Sequence, residues 1–526
     1  MKICIAYPPF RTKKGIPQIS QNRQFQWTAG GVLSYAIYPV AAAYAATMLS
    51  EAGHEVFWLD GVAERWSFDR WMKELLKAKP DIVVFESKTP VIERHWELIN
   101  ELKKSSFLFS PRGNRLGIQP GATPGALPLI VLTGDHVTAL PEESFKNSQV
   151  DYVLTGGDWD FLLVNLVRYL DKGEKLAPGI YKKVQKFKSS KAQSGREKIE
   201  STGKFTLDHN LNKLPLIDRD LTKWRLYAYR NSNFFRTPGA YTMFGRDCWW
   251  GRCSFCSWTT LYPGEKYRIF SVEKAIAEIK NLVENYGVKE IMDDSGTFAN
   301  GIWLRDFCHK MIETGLNRRV KINCNMRFGA GLGQKDYQLM GKAGFRFVLY
   351  GLESASQATL DRLNKNLKVE QIEPVLDMAK KAGLRPHITV MVGYPWEGKK
   401  ELRKTIALVK KLFQRGLVDS MQATVVIPYP GTPLFAQCEK KHWLKNKNWN
   451  EYDMRRPMMK SKLSDKELAA AVRELYHVSV WNKTFIANTV HCLSSWEGIK
   501  HVGFQALKYL GKMWEFKDKN LHDTKI

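Results

Sequence analysis

The chain has 526 residues, 44% of them hydrophobic and 12% aromatic, so it is too apolar to be disordered and long enough for roughly two to four cored domains. Eight cysteines in this length exclude a disulfide scaffold, and no apolar run of ~18 residues marks a membrane span. Eighty basic against 53 acidic residues leave a net charge of +27, which asks either for an anionic partner or for a lysine-rich solvated surface.

The first 175 residues alternate strand-like and helix-like segments, the pattern of an open parallel α/β sheet. Met1–Tyr7 predicts a short buried strand ending at Pro8-Pro9, not a secretory leader. Residues 40–52 have helical spacing and end at Gly53, residues 54–60 are the next strand, and residues 67–78 the next helix. Branched apolar runs follow at 81–86, ending at Lys88-Thr89-Pro90, and at 129–133, ending at Gly134-Asp135-His136. A short strand at 152–154 ends at Gly156-Gly157. Small residues thus recur at strand carboxyl ends, the edge where open α/β sheets bind ligands.

Residues 176–235 are expected to be a basic linker, because 182–201 is rich in Lys, Ser, Gln and Gly without apolar periodicity. A second β/α series fills 236–435, with strands expected at 241–244, 289–293, 321–325, 345–352, 385–392 and 422–427. Six such units suggest a partial barrel, whose site would gather at strand carboxyl ends. Ser271 is placed to cap a helix ending near Gly287. Residues 436–526 turn helical, with Ser464-Asp-Lys-Glu467 at capping-box spacing. Near the end, Trp496, Phe504, Trp514 and Phe516 interleave with Lys500, Lys508, Lys512 and Lys517. That segment reads either as a helical cap on the second domain or as a basic amphipathic helix for an anionic lipid surface. Basic and aromatic composition also suits single-stranded nucleic acid, but no recognised nucleic-acid module accompanies it, so a nucleic-acid partner is not expected.

The strongest chemical signal follows the first strand of the second series: Cys248-Trp-Trp-Gly-Arg-Cys253-Ser-Phe-Cys256. Three clustered thiolates can hold three irons of a cubic iron–sulfur cluster and leave the fourth iron open. The alternatives are structural zinc, which needs a fourth ligand such as Cys308 or Cys324, and a redox pair of Cys253 and Cys256.

This stretch resembles the radical S-adenosylmethionine (SAM) superfamily, whose pattern is Cys, three residues, Cys, two residues, Cys, with an aromatic before the last. Phe255 matches the aromatic; the first gap, filled by Trp249-Trp250-Gly251-Arg252, is one residue longer. The resemblance implies a [4Fe–4S] cluster on Cys248, Cys253 and Cys256. It also implies SAM contacts at Asp293-Asp294, at Gly351-Leu-Glu353-Ser354 and at Gly393, in that order behind the cysteines. Arg327 is a candidate partner of the cofactor carboxylate, a surface ion pair being the plain alternative.

The amino-terminal sheet resembles the cobalamin-binding domain of one large branch of this superfamily. The matching features are Tyr38-Pro39, Thr89-Pro90, Gly134-Asp135-His136 and Gly156-Gly157. Thr89, Gly134, Asp135, His136, Gly156 and Gly157 are therefore expected cobalamin contacts, the glycines letting the backbone approach the corrin. Pro8-Pro-Phe-Arg-Thr-Lys stands where a cobalt-ligating histidine motif would follow the first strand, so cobalt without a protein histidine is expected, and His136 is read as a loop contact. A domain that has lost cobalamin and only docks substrate or partner is the alternative.

Taken together, the resemblance implies a cytoplasmic, anaerobic enzyme of α/β fold that methylates an unactivated carbon of a small-molecule or lipid substrate. It would draw electrons from a donor such as flavodoxin or ferredoxin and could lie peripherally on the inner face of the membrane. Radical ring closure, as in anaerobic tetrapyrrole cyclases, is the nearest alternative, and a non-catalytic iron–sulfur or zinc protein the more distant one.

Overall fold

The computed structural model describes residues 1–20, 25–28, 36–104, 127–184, 198–229, 231, 233–264, 266–480, 489–490, 493 and 496–516. The chain divides into two compact units. The first comprises Met1–Trp27, Pro39–Trp224 and Thr260–Tyr262; the second comprises Thr28–Tyr38, Arg225–Thr259 and Pro263–Ile526.

In chain order the amino-terminal strands are β1 (Lys2–Tyr7), β2 (Ile16–Gln18), β3 (Gln26–Thr28), β4 (Glu55–Asp60), β5 (Ile82–Ser87), β6 (Leu129–Gly134), β7 (Tyr152–Leu154), β8 (Ile180–Val184) and β9 (Lys198–Ser201). β2 and β3 form a two-stranded sheet of their own, and the others make one sheet in the order β4-β1-β5-β6-β7-β8-β9. Pairing is parallel from β4 through β7 and antiparallel from β7 to β9. β5 shows why the parallel part forms. Its six residues, Ile-Val-Val-Phe-Glu-Ser, are all buried, as a strand covered on both faces requires. The helix Phe68–Ala78 is started by Ser67, whose hydroxyl accepts from Arg70 N at 3.2 Å, and its buried Trp71 donates its indole N–H to Leu59 O at 3.0 Å.

The expected linker over 176–235 needs correction. β8 and β9 lie in that range and extend the sheet rather than leave it. Only Ile180 of β8 is buried. An edge pair needs few apolar residues and lets its lysines reach water, so the apolar periodicity that marks a central strand is missing from the sequence. Residues 185–197 of that stretch lie outside the described residues.

The second unit holds a six-stranded sheet of β10 (Gly239–Thr242), β11 (Glu290–Asp293), β12 (Lys321–Met326), β13 (Phe345–Glu353), β14 (Arg385–Val392) and β15 (Ser420–Val425). All pairs are parallel and the spatial order is the sequence order, with β10 and β15 at the ends. Helices connect the strands. Val272–Tyr286, for example, begins on Ser271, whose hydroxyl accepts from Lys274 N, and stops at Gly287 with φ +64°. Beyond β15 the chain is helical over Pro433–Lys440, Asp465–Val480 and Trp496–Glu515. Ser464 and Glu467 form the expected reciprocal cap: Ser464 N donates to Glu467 Oε2 at 2.9 Å and Glu467 N to Ser464 Oγ at 3.3 Å.

Among the described residues no helix is long and apolar enough to cross a membrane. Phe516, read either as part of a helical cap or at a lipid interface, is buried, and its carbonyl accepts from Arg473. Ile499, Leu507 and Leu510 on the same helix are exposed. Lys517 lies outside the described residues.

Candidate functional site

The loop after β10 carries the three cysteines and is fastened on both sides. Before it, Asp247 accepts from Arg268 Nε at 2.9 Å, from Arg268 Nη2 at 3.1 Å and from the Arg268 backbone N–H at 2.8 Å. Within it, Trp249 Nε1 donates to Phe298 O at 3.2 Å and Trp250 Nε1 to Asn364 O at 2.6 Å. Gly251 turns the loop at φ +59°, where an added Cβ would stand 2.6 Å from Gly264 O. Ser254 N donates to Leu363 O at 2.9 Å, and Leu434 N donates to Ser254 O at 2.8 Å. The extra residue of the first gap is thus absorbed by one left-handed glycine and two anchored indoles.

The three sulfurs share one environment. Burial raises the Cys248 thiol above its usual value, opposed by nearby backbone N–H groups and Arg327. Burial, reinforced by Cys253 and Cys248, pushes Cys256 up to about 12. Thiols so disfavoured as free thiolates become ligands only when a metal supplies the compensating charge. Among the described residues no three His, Cys, Asp or Glu side chains gather about a single ion. A cubane does not ask for that convergence, since each thiolate takes a different iron.

Arg327, at the carboxyl end of β12, reaches this loop. Its Nη1 lies 3.5 Å from Cys253 Sγ, and its Nη2 donates to Lys365 O. Lys365 in turn pairs with Glu353 at 3.0 Å, both side chains buried, and Thr389 Oγ1 lies 3.4 Å from the other Glu353 oxygen. Glu353 ends β13 in the left-handed region, φ +65°, where the register with β14 shifts. Gly351 is explained by this pair: a Cβ there would stand 2.3 Å from Glu353 Oε1 and 2.8 Å from Lys365 Nζ.

The other expected SAM contacts divide in two. Asp293 is fully buried and spoken for: Phe244 N donates to it at 2.8 Å and Ser295 N at 3.2 Å. Burial raises its carboxyl to about 7 despite those bonds. Asp294 is also buried, its backbone N–H donating to Thr242 O at 2.8 Å. Gly393, by contrast, takes φ +99° and lets the chain turn at the end of β14 into Tyr394, which packs with Cys253 and Phe255 in one apolar cluster. Tyr394 Oη, Thr297 Oγ1 and Arg327 Nε are buried without a hydrogen-bond partner among the described residues. A buried donor left unpaired costs about 1–3 kcal/mol, so the two hydroxyls beside one cysteine loop fit a site completed by a polar ligand. The sequence reading missed Lys365 and Tyr394 and treated Trp249 and Trp250 as filler. Two large indoles inside a loop between clustered cysteines were the available signal.

In the first unit the expected cobalamin residues do stand at the carboxyl ends of β5, β6 and β7, but the protein itself uses them. A Cβ on Gly134 (φ +122°) would stand 2.0 Å from Ser87 O; one on Gly156 would stand 2.4 Å from the Phe205 ring, and one on Gly157 would stand 2.1 Å from the Tyr262 ring. The room those glycines provide is taken by the chain. Asp135 pairs with buried Lys88 at 3.4 Å. Both ring nitrogens of His136 are engaged, Nδ1 with Thr89 Oγ1 at 3.2 Å and Nε2 with Glu143 at 3.0 Å. Thr133 Oγ1, beside Gly134, is buried without a partner among the described residues and suits a polar ligand at that edge.

Residues 242–409 match the family described as the Radical SAM superfamily. An uncharacterised methyltransferase of Pyrococcus horikoshii is 27% identical over 444 residues, 83% of this chain and 86% of that protein. The anaerobic magnesium-protoporphyrin IX monomethyl ester cyclase of Rubrivivax gelatinosus is 25% identical over 457 residues, 85% of this chain and 74% of its own. Among solved structures, the cobalamin-dependent SAM radical enzyme OxsB, with aqua-cobalamin and SAM bound, superposes with TM-score 0.64 at 14% identity. That match covers 98% of this chain and 71% of the other. The radical SAM methyltransferase TsrM of Kitasatospora setae, with cobalamin and a [4Fe–4S] cluster, gives 0.58 at 16% identity over 84% and 75%. The chain carries a radical SAM domain.

Proposed function

We propose that this radical SAM enzyme is a cobalamin-dependent methyltransferase acting on an unactivated carbon of a small-molecule substrate. The observation that carries the reading is the fastened three-cysteine loop with unpaired polar groups around it, inside a radical SAM domain. When bound, a [4Fe–4S] cluster with SAM at its open iron supplies a carbon-centred radical, and cobalamin supplies a methyl carrier.

The chain's own contribution is placement. Cys248, Cys253 and Cys256 would hold the cluster. Phe255 and Tyr394 would wall its apolar side, and the Tyr394 and Thr297 hydroxyls offer hydrogen bonds that nothing among the described residues accepts. The Glu353–Lys365 pair presents a neutralised, buried polar floor at the end of β13. On the first unit, Thr133 and the buried Lys88–Asp135 pair form the polar edge that cobalamin would meet.

A reducing cytoplasm is the compartment expected for a chain whose cysteines cluster in one motif. Flavodoxin or ferredoxin is the electron donor expected there. The exposed Ile499, Leu507 and Leu510 and the charge of +27 favour contact with an anionic lipid surface. Co-sedimentation with anionic but not neutral vesicles at low salt is the expected result, and its absence removes that contact.

The relative named as a cyclase keeps radical ring closure as a second reading. Anaerobically reconstituted protein should cleave SAM and retain cobalamin through gel filtration. A product heavier by one methyl group supports methylation, a ring with two fewer hydrogens supports cyclisation, and no SAM cleavage defeats both.

A further inference from the structure

The residue that lengthens the first cysteine gap has a physical use. Trp249 and Trp250 stand within that gap, each indole N–H tied to a backbone carbonyl, and Arg327 lies against both rings. Its guanidinium carbon is 5.2 Å from the Trp249 ring centroid and 5.0 Å from that of Trp250. The same guanidinium donates to Lys365 O and places Nη1 3.5 Å from Cys253 Sγ. The nearby carboxylate, Glu353, is already paired with Lys365. The cation is therefore held by two rings and a carbonyl, largely out of water, and its remaining directed contact is a sulfur.

We propose that Arg327 is a positioning residue for the iron–sulfur cluster: it donates a charge-assisted hydrogen bond to the Cys253 thiolate and raises the cluster's reduction potential, rather than binding the SAM carboxylate. The inference rests on the cluster reading above. One-electron reduction puts more negative charge on the cluster and its thiolates, and a fixed cation at one sulfur favours that state. Partial burial keeps the field from being screened as it would be in water. Only a flat guanidinium can lie against two indoles while donating at both ends, so lysine is a poor replacement.

The test uses the full chain, reconstituted anaerobically, with iron content, cluster midpoint potential by redox titration followed by electron paramagnetic resonance, and SAM affinity measured side by side. R327Q should keep its iron and bind SAM within about twofold of the parent. Its reduction equilibrium should be about tenfold less favourable, a midpoint lower by about 59 mV for one electron. W250F, which weakens one face of the clamp, should move the midpoint the same way by less. An iron-loaded R327Q at the parent midpoint overturns the inference, as does a large loss of SAM affinity without a shift. If R327Q fails to assemble the cluster, an unmoved midpoint in W250F does so instead. A parent chain that takes up no iron sinks the cluster reading and this inference with it, an outcome distinct from either.

Discussion

The loop after β10 and the glycine loops after β6 and β7 occupy the same kind of place, the carboxyl ends of parallel strands, and they are built in opposite ways. Around the cysteines the backbone is fastened while polar atoms of Thr297, Arg327 and Tyr394 are left without partners. Around Gly134, Gly156 and Gly157 the glycines' space is filled by Ser87 O, Phe205 and Tyr262, and His136 is bonded at both nitrogens. A strand-end glycine is therefore ambiguous evidence for a ligand, because the chain's own groups exploit missing side chains as readily as a cofactor does. Unpaired buried donors are the more discriminating sign.

The contrast can be broken most sharply at the cysteines. Replacing Cys248, Cys253 and Cys256 together with alanine should abolish iron binding and SAM cleavage while leaving the far-ultraviolet circular dichroism intact; retained iron would move the metal elsewhere. The next largest effect belongs to the filled loop. Gly134→Ala forces a Cβ to 2.0 Å from Ser87 O at φ +122°, and should cost about 3 kcal/mol or more. Gly173→Ala, at φ +71° with nothing within 4 Å, should cost only about 1 kcal/mol. Denaturant midpoints read at unchanged slope give both values, and equal costs would show that the Ser87 carbonyl can yield. The last test concerns the open site. Glu353→Ala leaves Lys365 buried without its carboxylate and should weaken SAM binding by about 1.5–3 kcal/mol, read on folded, iron-loaded protein. Undiminished affinity would remove Glu353 from the site.

Much of this architecture was legible in the sequence because burial there is periodic. β1 and β14 fall where the apolar runs place them, and Ser271 and Ser464 cap the helices their spacing announces. β8 and β9 were not legible, since an edge hairpin with one buried residue per strand or fewer carries no such pattern. At the site, chemistry with local spacing could be read and chemistry assembled by folding could not. Cys248, Cys253 and Cys256 are neighbours in sequence. Lys365 meets Glu353 only because the chain turns through Asn364 and Asn366, both in the left-handed region, after the short helix Gln357–Arg362. Asp293, expected as a cofactor contact from its position in a family pattern, accepts hydrogen bonds from the Phe244 and Ser295 N–H groups, contacts that only folding reveals.

The hairpin of β8 and β9 also decides how the molecule behaves toward its own kind. A seven-stranded sheet ends in two rows of unpaired backbone groups, an invitation to strand-by-strand polymerisation while the chain is being made or stored. Here the β9 side ends in a four-residue strand that is exposed at both its termini. Lys182, Lys183 and Lys198 line the hairpin, with Lys182 tied to Glu200 at 4.0 Å. A second sheet approaching that side would have to strip water from lysines before gaining its first backbone bond. The lysines of β8 and β9 would thus disfavour strand pairing on that side.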